Sequence, residues 1–295
     1  MFTFAIANQK GGVGKTTTAY NLAAGLGKEY SVLLVDLDGQ GNLTRMAGFI
    51  PGRQPSSYSL LSKENTIENT IKSCEYFDFI PASSSLTTAD QSIEKGIGRN
   101  MRLKEALASY AKNPDNIPYD FCIIDTPPAL GVVTNNALIA ADFVIIPAEA
   151  NELSTEGIIS VVDSVEDIKK YVNPQLEVFC ILLTRYRGNT TLGKEYYQIF
   201  EKLAFKMHTI LYPTAIRESI IFSELPSVHQ SVFEYKPRSN AAKDYQELVN
   251  GCAMIATEKQ KTLKMIARHD EEVKAEMKAA EERIRQRNIR EREQK

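Results

Sequence analysis

The chain has 295 residues, 43% hydrophobic and 24% charged, with a formal net charge of −2. These are ordinary values for a globular, cytosolic enzyme of one or two domains, and the near-neutral charge means that any nucleic-acid binding must come from a local patch. No basic region precedes the first apolar stretch, as a signal peptide would need, and the apolar run ALIAADFVIIPA is broken by Asp142 and Pro147 before it reaches membrane-spanning length. Cys74, Cys122, Cys180 and Cys252 are far apart with no C-x-x-C pair, so reduced thiols are expected rather than a metal site or disulfides; His208, His229 and His269 have no ligand spacing.

The first element is a β-prone run, Phe2 to Ala7, which ends at Asn8 in a glycine-rich turn carrying two lysines, Lys10 and Lys15. Thr17 to Leu26, rich in Ala and Leu, reads as a helix. Between them Gly11, Gly12 and Gly14 leave backbone N–H groups open to a phosphate, and the helix start adds unsatisfied N–H groups and a positive dipole end. Lys15 would reach the β- and γ-phosphates of a nucleotide, and the Thr16 hydroxyl would bind Mg²⁺. The expected nucleotide-binding stretch is Gly11, Gly12, Val13, Gly14, Lys15, Thr16 and Thr17. The strict pattern G-x-x-x-x-G-K-[ST] is not met, because its first glycine falls on Gln9.

Strand candidates then alternate with helices: Ser31 to Asp38, Tyr76 to Ala82, Tyr119 to Pro128, Phe143 to Glu149, Val178 to Arg185 and His208 to Pro213, with helical stretches such as Asn100 to Ala111 and Thr155 to Tyr171 between most of them. Continuous apolar strands bounded by helices predict an α/β fold with a mostly parallel central sheet covered by helices on both faces. Sites in such sheets lie at the carboxyl ends of strands, and Asp36, Asp38 and Asp125 all fall there, on the same rim as the glycine loop. Asp125 is placed to hold Mg²⁺ through water. Alternation points Asp36 and Asp38 to one side; one can support the metal while the other orients the attacking water, and nothing local distinguishes them. Gly39 and Gly41 suit a segment that senses a γ-phosphate.

Arg185 and Arg187 follow a strand in TRYRGNT, and Lys236, Arg238 and Lys243 fall in KPRSNAAK; together they predict a small phosphate-binding patch that reads no sequence. From Asn240 the chain reads helical, with Ala241, Tyr245, Leu248, Val249 and Cys252 on one face. The last segment, 258–295, holds 12 Lys/Arg and 9 Asp/Glu without Pro, Gly or an aromatic residue, and reads as a charged, protruding helical tail beside a domain spanning 1–257. Its apolar face is too thin for a membrane anchor.

The segments ANQKGGVGKTTTAYNLA, LLVDLDGQGNLT and IIDTPPALGVVTNNAL resemble the deviant Walker A, switch I and Walker B/switch II segments of ParA/Soj partition ATPases, in the wider group that includes MinD. The match is in register to about residue 150 and weaker to about residue 250. The resemblance implies a P-loop NTPase that binds ATP–Mg²⁺ and hydrolyses it slowly. It implies that Lys10 is a signature lysine crossing a dimer interface to the partner's ATP, joining Lys15 and Asp38 as the catalytic set. It also implies that Asp38 positions water, that Thr16 binds Mg²⁺, and that Asp36 and Asp125 support the metal shell. In YPTAIRESIIFSELPS, where relatives read close to IPRNVRLSEAPS, Pro213 keeps a position near the adenine and Arg217 falls on or next to a DNA-contacting arginine; the inserted Ser219 to Phe222 stretch breaks that alignment. The expected function is DNA partition: a cytoplasmic, nucleoid-associated ATP homodimer that binds DNA nonspecifically, uses no membrane, and is released by a ParB-like centromere-binding partner. The alternatives are a MinD-like or cargo-positioning ATPase and, in another class, a dethiobiotin-synthetase-like ligase or a reductase component, the last disfavoured by the missing cluster cysteines.

Overall fold

A computed structural model describes residues 1–258, apart from 54, 94, 95, 97, 152, 153 and 256. The charged tail predicted at 258–295 therefore lies, beyond its first residue, outside the described residues. Contacts divide the chain into two compact units, Met1–Val249 and Asn250–Lys295.

The apolar runs become β1 (Phe2–Ile6), β2 (Val32–Asp36), β3 (Lys72–Ser73), β4 (Asp78–Ile80), β5 (Phe121–Asp125), β6 (Phe143–Glu149) and β7 (Glu177–Thr184). They form one sheet in the order β3-β4-β2-β5-β1-β6-β7, parallel throughout except for the β3–β4 edge pair. Every residue of β1, β2 and β5 is buried, which is why these strands are apolar without alternation. Crossovers are supplied by α1 (Lys15–Leu26), α2 (Asn42–Met46), α3 (Ser57–Leu61), α4 (Ile67–Thr70), α5 (Ala89–Ser92) and α6 (Arg102–Lys112). They are completed by α7 (Val132–Ala140) and α8 (Ser154–Tyr171), and α9 (Thr191–Lys206), α10 (Ile221–Val228) and α11 (Val232–Tyr235) follow the last strand.

Register is what builds the site. Ile6 is paired with Asp125, and Asp125 with Asp36, so the carboxyl ends of the three central strands finish level with one another. The glycine turn leaves β1 at that same rim.

The chain is helical again from 240, and Ala241, Tyr245, Leu248 and Val249 are buried as the apolar face required. Tyr245 shares a hydrogen bond of 3.2 Å with Thr18 of α1. A Cβ at Gly25 of α1 would lie 2.4 Å from Val249 Cγ2, so this helix pair needs glycine at the crossing.

One expectation needs correction, and one short strand is new. The stretch His208 to Pro213 is not a strand: it makes a single bridge, Leu211 to Ile181 of β7, flanked by Ile181 N–H to Ile210 O at 2.9 Å and Tyr212 N–H to Ile181 O at 2.8 Å. Pro213 has no N–H with which to extend that ladder. Conversely β3, two residues at the sheet edge, carries too short a pattern to be read from sequence. Among the described residues no helix is long and apolar enough to cross a membrane.

Candidate nucleotide-binding site

Asn8, at the end of β1, sets the start of the loop. Its Nδ2 donates to Pro147 O at 2.7 Å, and its Oδ1 accepts from Lys10 N at 2.9 Å. Gly12 and Gly14 then take φ of +77° and +86°, the left-handed region that other residues enter only at a cost. A Cβ on Gly11 or Gly12 would meet nothing within 4 Å, so the loop presents an open backbone face. From β7, the Thr184 hydroxyl donates to Val13 O at 2.9 Å and ties the loop to a neighbouring strand.

Lys15 opens α1 and is only 7% exposed; its Nζ donates to Lys10 O at 3.1 Å. Burial lowers its pKa, while the charges of Asp125 and Asp38 pull it back up. The result is a desolvated cation held inside the loop with no ion-pair partner among the described residues, which an anionic ligand would supply.

The three carboxylates are not equivalent. Asp125 is fully buried: Oδ2 accepts from the Thr16 hydroxyl at 2.7 Å, and Oδ1 has no hydrogen-bond partner. Asp36 is also fully buried and fully engaged, Oδ1 accepting from Asp38 N at 3.0 Å and Oδ2 from Thr44 N and the Thr44 hydroxyl at 2.8 and 2.7 Å. Burial pushes the Asp36 pKa up to about 7 against the pull of those bonds, and burial with the nearby Asp36 charge raises Asp125 well above the usual carboxylate range. Asp38 is half-buried, its Oδ1 accepting only from Gln40 N at 2.9 Å. Asp36 thus holds α2, Asp125 keeps an oxygen in reserve, and Asp38 faces the open side.

Lys10 does not join Lys15. Its Nζ donates to Asn151 Oδ1 at 2.8 Å and lies 3.9 Å from Glu149 Oε2, along its own chain at the end of β6. Pro213 is exposed, two residues past the Leu211 bridge.

The predicted basic patch is brought together in part. Tyr186 bridges to Arg217, which sets Arg185, Arg187 and Arg217 side by side; Arg187 and Arg217 line a cavity of about 520 Å³. Both are neutralised, however. Arg187 pairs with Glu218, and Arg217 grips Asp244 through its backbone N at 3.1 Å, Nε at 2.9 Å and Nη2. Exposed Arg185 and Arg238 form no ion pair among the described residues, and Lys236 Nζ stands 4.8 Å from the Tyr235 ring centroid. Sequence reasoning missed Asn8, Thr44, Thr184, Asp244, Glu149 and Asn151; of these only Asn8, abutting the loop, carried a local signal.

A family model described as an AAA domain matches residues 1–178. The sporulation initiation inhibitor protein Soj of Bacillus subtilis is 38% identical over 255 residues, covering 84% of this chain and 97% of Soj. The chromosome-partitioning ATPase Soj of Thermus thermophilus is 36% identical, covering 83% and 92%. The chain belongs to the ParA/Soj family of P-loop ATPases. Among solved structures, cobyrinic acid a,c-diamide synthase from Mycobacterium smegmatis, with bound ATP analog and magnesium, superimposes with a TM-score of 0.72 at 30% identity, covering 85% of this chain and 93% of that one.

Proposed function

We propose that this ParA/Soj member binds ATP with Mg²⁺, dimerises around it, hydrolyses it as a timer, and partitions DNA. The observation that carries the nucleotide half is the convergence, on one strand rim, of an open glycine loop, a desolvated Lys15 and a buried Asp125 with an unpartnered oxygen. The residues fit the metal: Asp125 Oδ1 and the Thr16 hydroxyl bonded to its neighbour Oδ2 are what a hydrated Mg²⁺ on nucleotide phosphates would need. Among the described residues no group of three His, Cys, Asp or Glu forms a self-contained metal cage, in keeping with an ion held largely through substrate. Bound there, Mg²⁺ would neutralise phosphate charge.

The division left open between Asp36 and Asp38 follows from their surroundings. Asp36 spends both oxygens on Thr44 and Asp38, so it supports the metal side by fixing α2. Asp38, half-buried and singly bonded, orients the attacking water. Lys15 binds the phosphates within the chain, and Lys10 serves the partner's nucleotide after giving up Asn151 and Glu149. Pro213 packs near the base.

DNA binding in the ATP state, and release by a ParB-like partner, are supported by the family's membership in chromosome partition. With Arg187 and Arg217 compensated, Arg185 and Arg238 are exposed cations with no ion pair among the described residues, so doubling by dimerisation matters more than any one contact. The compensated patch favours one second reading, a cargo-positioning ATPase acting through a protein surface. Co-sedimentation with nonspecific DNA in ATP and in ADP separates the two. Binding only in ATP supports partition; no binding at low salt in either state removes it. A ligase like the diamide synthase would instead turn over ATP only with a carboxylate substrate.

A further inference from the structure

Away from the nucleotide site, a cavity of about 260 Å³ opens between α1, the segment after α2, the β3–β4 turn and the end of α10. Its walls are aromatic. Tyr20 and Phe77 are buried and meet edge to face with centroids 5.5 Å apart, and Phe49 and Tyr76 add further faces. Glu75, Glu234 and His229 line it as well, with His229 Nδ1 held to Arg45 O at 2.9 Å, and no lysine or arginine lines it. Neither carboxylate belongs to an ion pair among the described residues.

The charge of Glu234 is fixed in position, because its Oε2 accepts from Ser231 N at 2.8 Å and from the Ser231 hydroxyl at 2.6 Å. The same charge is felt by Tyr20, whose pKa is raised by burial first and by Glu234 second. Two carboxylates disfavour an anion in such a cavity, and a neutral apolar group would cover the half-buried Glu234 without offering it a counter-charge. A cation on an apolar stem satisfies both walls. It gains the carboxylates and the ring faces together, and a planar guanidinium offers several donors while stacking on aromatic rings.

We propose that this cavity receives an arginine side chain presented by a partner protein. The site is separate from the nucleotide loop, and its outer wall is Ala47 and Phe49, which directly follow α2. Since Thr44 of α2 holds Asp36, the occupant would rest against the segment that leads from the switch carboxylate.

Cys74 provides the test. It lines the same cavity and is half-buried, whereas Cys122, Cys180 and Cys252 are buried. The full-length protein is equilibrated, under a fixed excess of 2-mercaptoethanol, with the tripeptides Cys-Gly-Arg and Cys-Gly-citrulline as mixed disulfides. Mass spectrometry measures labelling at Cys74. The expected result is at least fivefold more labelling by the arginine peptide than by its neutral isostere. The preference should vanish in Glu75→Gln/Glu234→Gln, where the amide at 234 still accepts the Ser231 bonds, and fall about threefold in Tyr76→Leu. Equal labelling by the two peptides, or a preference unchanged in either variant, overturns the proposal. ATP binding by each variant at the wild-type level establishes that it is folded.

Discussion

Lys15 and the buried carboxylates around it set the behaviour of the site at the scale of single residues. Lys15 is desolvated without an ion-pair partner among the described residues, so Lys15→Ala should leave the fold as stable as before while nucleotide affinity falls at least about tenfold, since a charge-assisted bond to phosphate is worth about 1.5–3 kcal/mol. Labelled ATP bound equally by wild type and variant would remove Lys15 from the site. Asp36 gives a pH prediction. Its folded pKa, about 7, is above the ordinary carboxylate value, so the folded state binds more protons than the unfolded state between about pH 4 and 7. Stability of the nucleotide-free protein should therefore decline as pH rises through that window and level off above it, with Asp125 acting in the same direction. Urea midpoints at a series of pH values check this, and Asp36→Asn should flatten the decline. Asp38 has a separate role in this reading: Asp38→Ala should bind ATP yet lose most turnover, because a water-orienting group acts in the transition state. Undiminished turnover would move that role to Asp36.

At the scale of elements, the loop depends on neighbours that hold it from behind. Gly14 has space for a methyl group, with Thr184 Cγ2 3.7 Å away, but its φ of +86° makes Gly14→Ala cost about 1–2 kcal/mol of backbone strain. Gly157 is different: it lies in a helix with no unusual φ, and a Cβ there would stand 2.5 Å from Asn8 Oδ1. Asn8 is buried and tied to Pro147 O, so it cannot swing aside without giving up that bond or the one to Lys10 N. Gly157→Ala should destabilise by about 1–3 kcal/mol in urea unfolding and disturb Lys10 through Asn8 rather than by touching its side chain. A neutral result would mean that α8 shifts freely away from the loop.

For the whole molecule, the question is where DNA would find positive charge. Arg217 was expected to contact phosphate, yet it is committed to Asp244, whose side chain is 4% exposed. Arg217→Ala would strand that carboxylate, so the first effect should be a loss of stability of about 1 kcal/mol, discounted because the guanidinium is half-exposed. Any loss of DNA binding in that variant has to be compared with Arg217→Ala/Asp244→Asn, which removes the stranded buried charge together with the cation. Arg185→Ala/Arg238→Ala removes free cations and should weaken binding to all sequences alike and flatten the salt slope. The charged tail competes for the same role, with 12 basic and 9 acidic residues over 258–295. If a chain ending at Thr257 loses DNA binding while the arginine variants keep it, the tail is the DNA-binding element.

Most of the elements and the glycine turn after β1 were legible in the sequence because each is a local pattern. Apolar runs such as FTFAI, VLLVD and FCIID are continuous because their strands are covered on both faces, and glycines beside Lys15 and Thr16 mark a phosphate-binding turn whatever surrounds it. Membership in the ParA/Soj family followed from three such patterns in order. What only the tertiary structure decided is pairing. Ile6, Asp36 and Asp125 finish level because of strand register, a choice made between segments far apart in the chain. Asp36 and Asp38 look alike in DLDGQGN, and only Asp36 is buried and held by Thr44. Lys10 resting on Asn151, and Arg217 spent on Asp244, depend on partners 141 and 27 residues away. A sequence states which charges are present; which of them remain uncompensated is settled only when the packed core brings their neighbours into reach.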